Sequence, residues 1–221
     1  MKKLSIFLVC GLTAATYAQT SLKTFTGPDG AFRFQYSDIL VNCIPAQKAA
    51  SSTESDTSAI NSQPPVLSAP ESCLPQGSFC SGPGSDARPL ACFAYPKERF
   101  KDKPLFVSAT FFVSEIQNAR SENMCLKGSS NWLVIKAEEQ PTTINHTRFK
   151  TFEIGDNWTG GGQDGPVYRA FHHNKCYELG IQTLTSRGEY DPGTFKEFTK
   201  QDWSEVDSRL EQALHSFVFL K

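Results

Sequence analysis

The chain has 221 residues, with 22 basic against 23 acidic side chains and a formal net charge of −1. Near-neutrality gives no electrostatic drive toward nucleic acid or an anionic membrane surface, and the length suits one domain with a real core. Beyond residue 18 no apolar run approaches the roughly 20 residues that cross a bilayer, so no membrane span is expected.

Lys2 and Lys3 precede an apolar run from Leu4 to Ala15, and Thr16-Tyr17-Ala18 places small residues at both positions a signal peptidase reads. Residues 1–18 are therefore expected to be a cleaved signal peptide, with residues 19–221 forming a single α+β domain that is secreted or periplasmic. Val9 before Cys10 argues against a lipid anchor. Export removes two lysines and leaves 20 basic against 23 acidic residues, a net charge near −3.

Six cysteines remain after Cys10 leaves with the leader: Cys43, Cys73, Cys80, Cys92, Cys125 and Cys176. An even set in an oxidising compartment suits three disulfides, among roughly 15 possible arrangements. The expected set is Cys73–Cys80 as a local loop, Cys43–Cys92 closing an insertion and Cys125–Cys176 joining a helix to a hairpin. With no Cys-x-x-Cys pair and no zinc-type histidine spacing, a structural metal is a weak competitor to disulfides, and thiol–disulfide exchange lacks the motif that would lower one thiol's pKa.

In chain order, Leu22 to Thr26 reads as a short strand, Gly27-Pro28-Asp29-Gly30 as a turn and Ala31 to Tyr36 as a strand with an aromatic face. From about residue 45 to 89 the composition becomes Pro- and Ser-rich with few large apolar residues, so this stretch is expected to be an exposed insertion. Leu90 to Tyr95 resumes the sheet, and the dense β-branched and aromatic run Leu105 to Val113 predicts a central strand. Asn118 is placed to cap a helix ending near Leu126-Lys127.

Thr142 to Thr147 and Phe149 to Ile154 alternate around a turn at Asn145-His146. Gly155 to Pro166 is expected to be a long glycine-rich connection. Val167 to Phe171 and Tyr177 to Thr183 alternate with period two around His172 to Lys175, the strongest hairpin signal in the chain. Trp203, Val206, Leu210, Ala213, Leu214 and Phe217 recur at three- and four-residue steps, with a capping-box spacing at Thr199 and Asp202 or at Asp202 and Glu205, and predict the clearest helix. The chain closes on a strand near Phe217 to Leu220.

Chemistry is sparse. His172 and His173 are the metal-ligating candidates, but neighbours in a strand point to opposite faces and would not readily chelate one ion, so a polar turn is the preferred reading. The glycine run Gly160-Gly161-Gly162 lacks the Lys-Ser/Thr of a phosphate loop, and no Gly-x-Ser-x-Gly elbow is present. Trp158, with His172 and His173, is the candidate binding surface. No catalytic residue and no cofactor is assigned.

Phe25 to Phe34, Thr143-Ile144-Asn145-His146, Tyr168-Arg169, Cys176-Tyr177-Glu178 and the terminal Ser216-Phe217-Val218-Phe219 after a helix together resemble the PsbP-like (Mog/PsbP-like) α/β/α sandwich. The resemblance covers residues 22–43 and 90–220. It implies an antiparallel β-sheet flanked by helices on both faces and an accessory or binding role; it carries over no ligand residue. The expectation is an exported, disulfide-stabilised, non-enzymatic binding or accessory module of the cell envelope, with an unknown protein or envelope component as partner. The alternative is a metal-dependent or other hydrolytic enzyme whose site is assembled from loop histidines and carboxylates.

Overall fold

The computed structural model describes residues 21–44, 73, 80, 87–127, 134–137, 141–186, 193 and 195–220. The expected signal peptide and most of the expected insertion lie outside the described residues.

Two antiparallel sheets carry the fold. The smaller consists of β1 (Leu22–Thr26), β2 (Phe32–Ser37) and β11 (Val218–Phe219), in the order β1-β2-β11. The larger orders seven strands as β3 (Val41–Asn42), β4 (Ala87–Ala94), β5 (Phe106–Ile116), β10 (Lys175–Ser186), β9 (Gly161–His172), β8 (Thr147–Trp158) and β6 (Val134–Ala137), while β7 (Thr142–Ile144) also pairs with β8. Two α-helices are described, α1 (Glu122–Leu126) and α2 (Lys200–His215). The molecule is thus α+β and mostly β. Among the described residues the expected helical layer on each face is reduced: one face of the large sheet carries α2 together with the small sheet, and the other the five-residue α1.

Side-chain alternation divides the large sheet into two faces. On one, Phe93, Phe111, Tyr177, Leu179 and Phe149 meet Phe32 and Phe34 of the small sheet and Val206, Leu210 and Leu214 of α2 in the main core. Phe34 stands edge-on to Phe93 and Phe111, with ring centroids 5.4 and 5.0 Å away. Such aromatic pairs add about 0.5–1.5 kcal/mol each beyond their burial. The opposite face holds a smaller cluster of Cys92, Phe112, Phe152, Ile154 and Val167, against which Cys43, Ile44 and Cys80 pack.

Local chemistry explains the element ends. Asn145 and His146 both adopt positive φ, 43° and 67°, as do His173 and Asn174 at 47° and 60°, the two-residue turn whose twist matches antiparallel strands. At α2 the Thr199–Asp202 spacing is the one that closes the capping box: the Thr199 amide donates to Asp202 at 2.7 Å and the Asp202 amide donates back to Thr199 at 3.3 Å. Asp202 also pairs with Lys103, and buried Tyr95 donates its hydroxyl to Glu205 at 2.6 Å. These contacts seat the first turns of α2 on the connection between β4 and β5.

Three expectations are corrected. The cap of α1 is Ser121 and not Asn118, because the Ser121 hydroxyl accepts from the Met124 amide. Gly155 to Pro166 is no flexible connection: β8 runs through Trp158 and β9 begins at Gly161, leaving only Thr159 and Gly160 between them. Glycine is required within β9, since Gly165 has φ +149° and a Cβ there would lie 1.9 Å from the Ile181 carbonyl oxygen. The third correction concerns the cysteines. The disulfides are Cys43–Cys73, Cys80–Cys92 and Cys125–Cys176, so the four cysteines on and around the insertion pair differently from the expected Cys73–Cys80 and Cys43–Cys92. Short sequence separation favours a local loop by entropy alone. Here Cys43, just past β3, and Cys92, on β4, instead take separate partners within the insertion, tying it to the sheet at two points.

Candidate functional site: the stapled face and the groove beside α1

α1 has five residues, too few to be stable as an isolated helix. Its position comes from what holds its ends. Ser121 caps the first turn, and Cys125 in the last turn is joined to Cys176 at the start of β10, both sulfurs being fully buried. Arg169 of β9 supplies the third tie. Its Nη1 donates to the Cys125 carbonyl at 3.3 Å, answering one of the acceptors that a helix C-terminus leaves without an intrahelical donor.

The same guanidinium grips Glu178, its cross-strand partner on β10, through Nε and Nη2, both 2.9 Å from Oε2. The pair is sealed, with side-chain exposures of 3% and 0%. Burial lowers the Arg169 pKa, while the charge and hydrogen bonds of Glu178 oppose that change. An arginine starts so far above neutrality that it stays cationic here. The guanidinium carbon also lies 5.6 Å from the centre of the Phe152 ring, and the Lys150 ammonium lies 5.2 Å from it. Lys150 and Arg169 are register partners, so two cations flank one aromatic ring on the face that α1 covers.

Between α1 and β8 this face opens into a groove of about 400 Å³. Its walls are Glu122 and Leu126 of α1, Arg148 and Lys150 of β8, Phe171 of β9, and Pro141 before β7. Arg148 and Lys150 lie two apart on one strand and so share a face. Among the described residues neither has a carboxylate partner, whereas Arg88, Arg99, Lys103, Arg169, Lys175 and Lys196 each have one. Two cations against the single carboxylate of Glu122, over the half-buried apolar surface of Leu126 and Phe171, make a mixed groove with a positive bias.

The histidines behave differently from expectation. The strand argument separates His172 from His173, but the positive φ of His173 folds its ring back, and the two rings stack with centroids 4.1 Å apart. The other side of His172 stacks on Phe219 of β11, also at 4.1 Å. Burial first, and His173 second, hold His172 below the ordinary histidine pKa. His172 thus closes the seam between the two sheets, on the face opposite α1. Among the described residues no group of three or more His, Cys, Asp or Glu side chains is placed to hold a metal ion. The Trp158 side chain, offered as part of a binding surface, lies outside what is described.

Asn145, at the turn between β7 and β8, donates its amide to the carbonyls of His215 and Phe217. That use locks the turn onto the end of α2. Sequence reasoning missed Arg148, Lys150, Arg169 and Glu178. The last two carried a readable signal, because a two-residue turn at His173-Asn174 places Arg169 opposite Glu178 by counting three residues back on each strand. Arg148 and Lys150 had only the alternation of β8, which fixes a shared face but not what lies across from it. A comparison with protein-family models and with curated proteins finds no match to this chain.

Proposed function

We propose that the chain is a disulfide-stapled, non-enzymatic binding module that works outside the cytoplasm, in or beyond the cell envelope, and recognises a protein or envelope component. The observation that carries this reading is that all three disulfides act on one face of the large sheet. Cys92 and Cys176 point from that face, Cys43 and Cys80 pack against its cluster, and Cys125 brings α1 onto it. Three covalent ties onto this face add little to the main core, which α2 and the small sheet already fill. Their effect is to hold a peripheral surface in one shape, which reduces the ordering cost of binding.

Three disulfides fit an oxidising compartment. Among the described residues no helix is long and apolar enough to cross a membrane. Cleavage of residues 1–18 as a signal peptide is the export route this reading adopts. The PsbP-like resemblance enters as a proposal about fold, supported by an antiparallel sheet bearing α2 on one face.

The test uses the natively exported, oxidised protein, immobilised and exposed to its own envelope fraction, beside a copy reduced and alkylated under native conditions. The expected result is a discrete component retained by the oxidised form and lost from the reduced one. Retention of nothing by either form, together with turnover of a substrate by the oxidised protein, would overturn the reading.

A further inference from the structure

The geometry of the groove between α1 and β8 points to a ligand class. We propose that it binds an amphiphilic anion: one oxyanion head group, held by Arg148 and Lys150, on an apolar body that lies against Phe171 and Leu126. This rests on the binding-module reading and deepens it.

Four features support the assignment. The groove, at about 400 Å³, falls within the range of small-molecule sites. Arg148 and Lys150 stand on one face of β8 without a carboxylate partner among the described residues. An arginine fork with a neighbouring ammonium suits a carboxylate or phosphate, the fork giving direction and the ammonium giving charge. Leu126 and Phe171 keep part of their apolar surface exposed in the same groove, matching a ligand that is not a bare ion.

The fourth feature is rigidity. One wall is α1, fixed by the Cys125–Cys176 bond, the Ser121 cap and Arg169. The other is β8, paired with β9 from Lys150 to Trp158 and with β7 from Thr147 to Phe149. Lys150 is the register partner of Arg169, the residue that takes Oε2 of Glu178. Its ammonium remains above Phe152, available to the groove. Glu122, across the groove, disfavours a second negative charge on the ligand body and so selects for a single anionic head.

Titration of the full oxidised protein with octanoate, octyl phosphate, octanol and inorganic phosphate, followed by calorimetry and by chemical-shift changes at Leu126 and Phe171, tests the proposal. Octanoate or octyl phosphate is expected to bind saturably, at least 10-fold more tightly than octanol and than inorganic phosphate; whichever of the two binds better identifies the head group. The Arg148→Gln/Lys150→Gln double variant is expected to lose at least 10-fold for the anion with an unchanged unfolding midpoint, and Phe171→Ala to weaken octanoate while leaving inorganic phosphate unaffected. Equal binding of octanol and octanoate, unchanged affinity in the double variant, or equal binding of inorganic and octyl phosphate would overturn it. If the double variant still captures the envelope component, the binding module stands and this groove assignment falls.

Discussion

Glu178 carries its charge with no solvent exposure, and Arg169 is nearly as deeply placed. Removing one member of such a pair leaves the other as a desolvated charge, which costs more than the pair contributes. Glu178→Ala is therefore expected to lower unfolding free energy by about 3–5 kcal/mol in denaturant titrations, whereas Arg169→Met with Glu178→Leu should recover most of that loss. A double variant as unstable as the single would show that the pair stabilises in its own right. The double variant also removes the donor to the Cys125 carbonyl. Hydrogen exchange at α1 is accordingly expected to quicken even where global stability returns.

His172 offers a second residue-scale test, through pH. Its pKa in the folded state is depressed by burial and by His173, so the folded protein favours the neutral ring while the unfolded chain takes up a proton near the ordinary value of about 6.5. The sign follows from linkage: stability is fully present above that value and falls as pH drops from it through the lower folded-state value, because the unfolded chain binds more protons there. Thermal unfolding from pH 7.5 to 5 should show this decline, and His172→Phe, which keeps the stack on Phe219, should flatten it. A slope unchanged by the substitution would assign the decline to other groups.

At the scale of elements, α1 and α2 are held by opposite strategies. α2 has 16 residues, a capping box and a full apolar stripe, and needs only the core it packs on. α1 has a single turn and depends on a covalent bond. The loop closed by Cys125–Cys176 spans a sequence separation of 51, for which chain-entropy reasoning gives about 4 kcal/mol. Replacing both cysteines by serine is expected to cost about that much in unfolding free energy. Amide exchange should rise first at Glu122 to Leu126, with Lys200 to His215 still protected. Simultaneous loss of protection in both helices would mean that α1 is part of the cooperative core.

For the whole molecule, the decisive prediction is the disulfide map. Proteolysis of the oxidised protein without reduction, followed by mass spectrometry, should recover peptides joining Cys43 to Cys73, Cys80 to Cys92 and Cys125 to Cys176. Recovery of a Cys73–Cys80 peptide would contradict the two-point attachment of the insertion. The distinction matters for function: a Cys73–Cys80 bond would leave both cysteines without a covalent tie to the sheet, while Cys43–Cys73 and Cys80–Cys92 bond them to residues at the face that also bears α1.

Features that depend on near neighbours in the chain are legible from its residues alone. The period of two and the polar dipeptides at Asn145-His146 and His173-Asn174 specify hairpins, because the turn residues themselves adopt the positive φ that joins antiparallel strands. The three- and four-residue recurrence from Trp203 to Phe217 specifies α2, and the hydroxyl and carboxylate three apart at Thr199 and Asp202 specify where it begins. Features that join distant parts of the chain are set by packing. Which of four cysteines meet depends on where β3 and β4 place Cys43 and Cys92. Whether adjacent histidines diverge or stack depends on one backbone angle at His173. The groove lies between β8 and an α1 that a disulfide to β10 and a buried guanidinium on β9 hold against the sheet, and contacts between residues so distant in sequence leave no periodic trace in the chain.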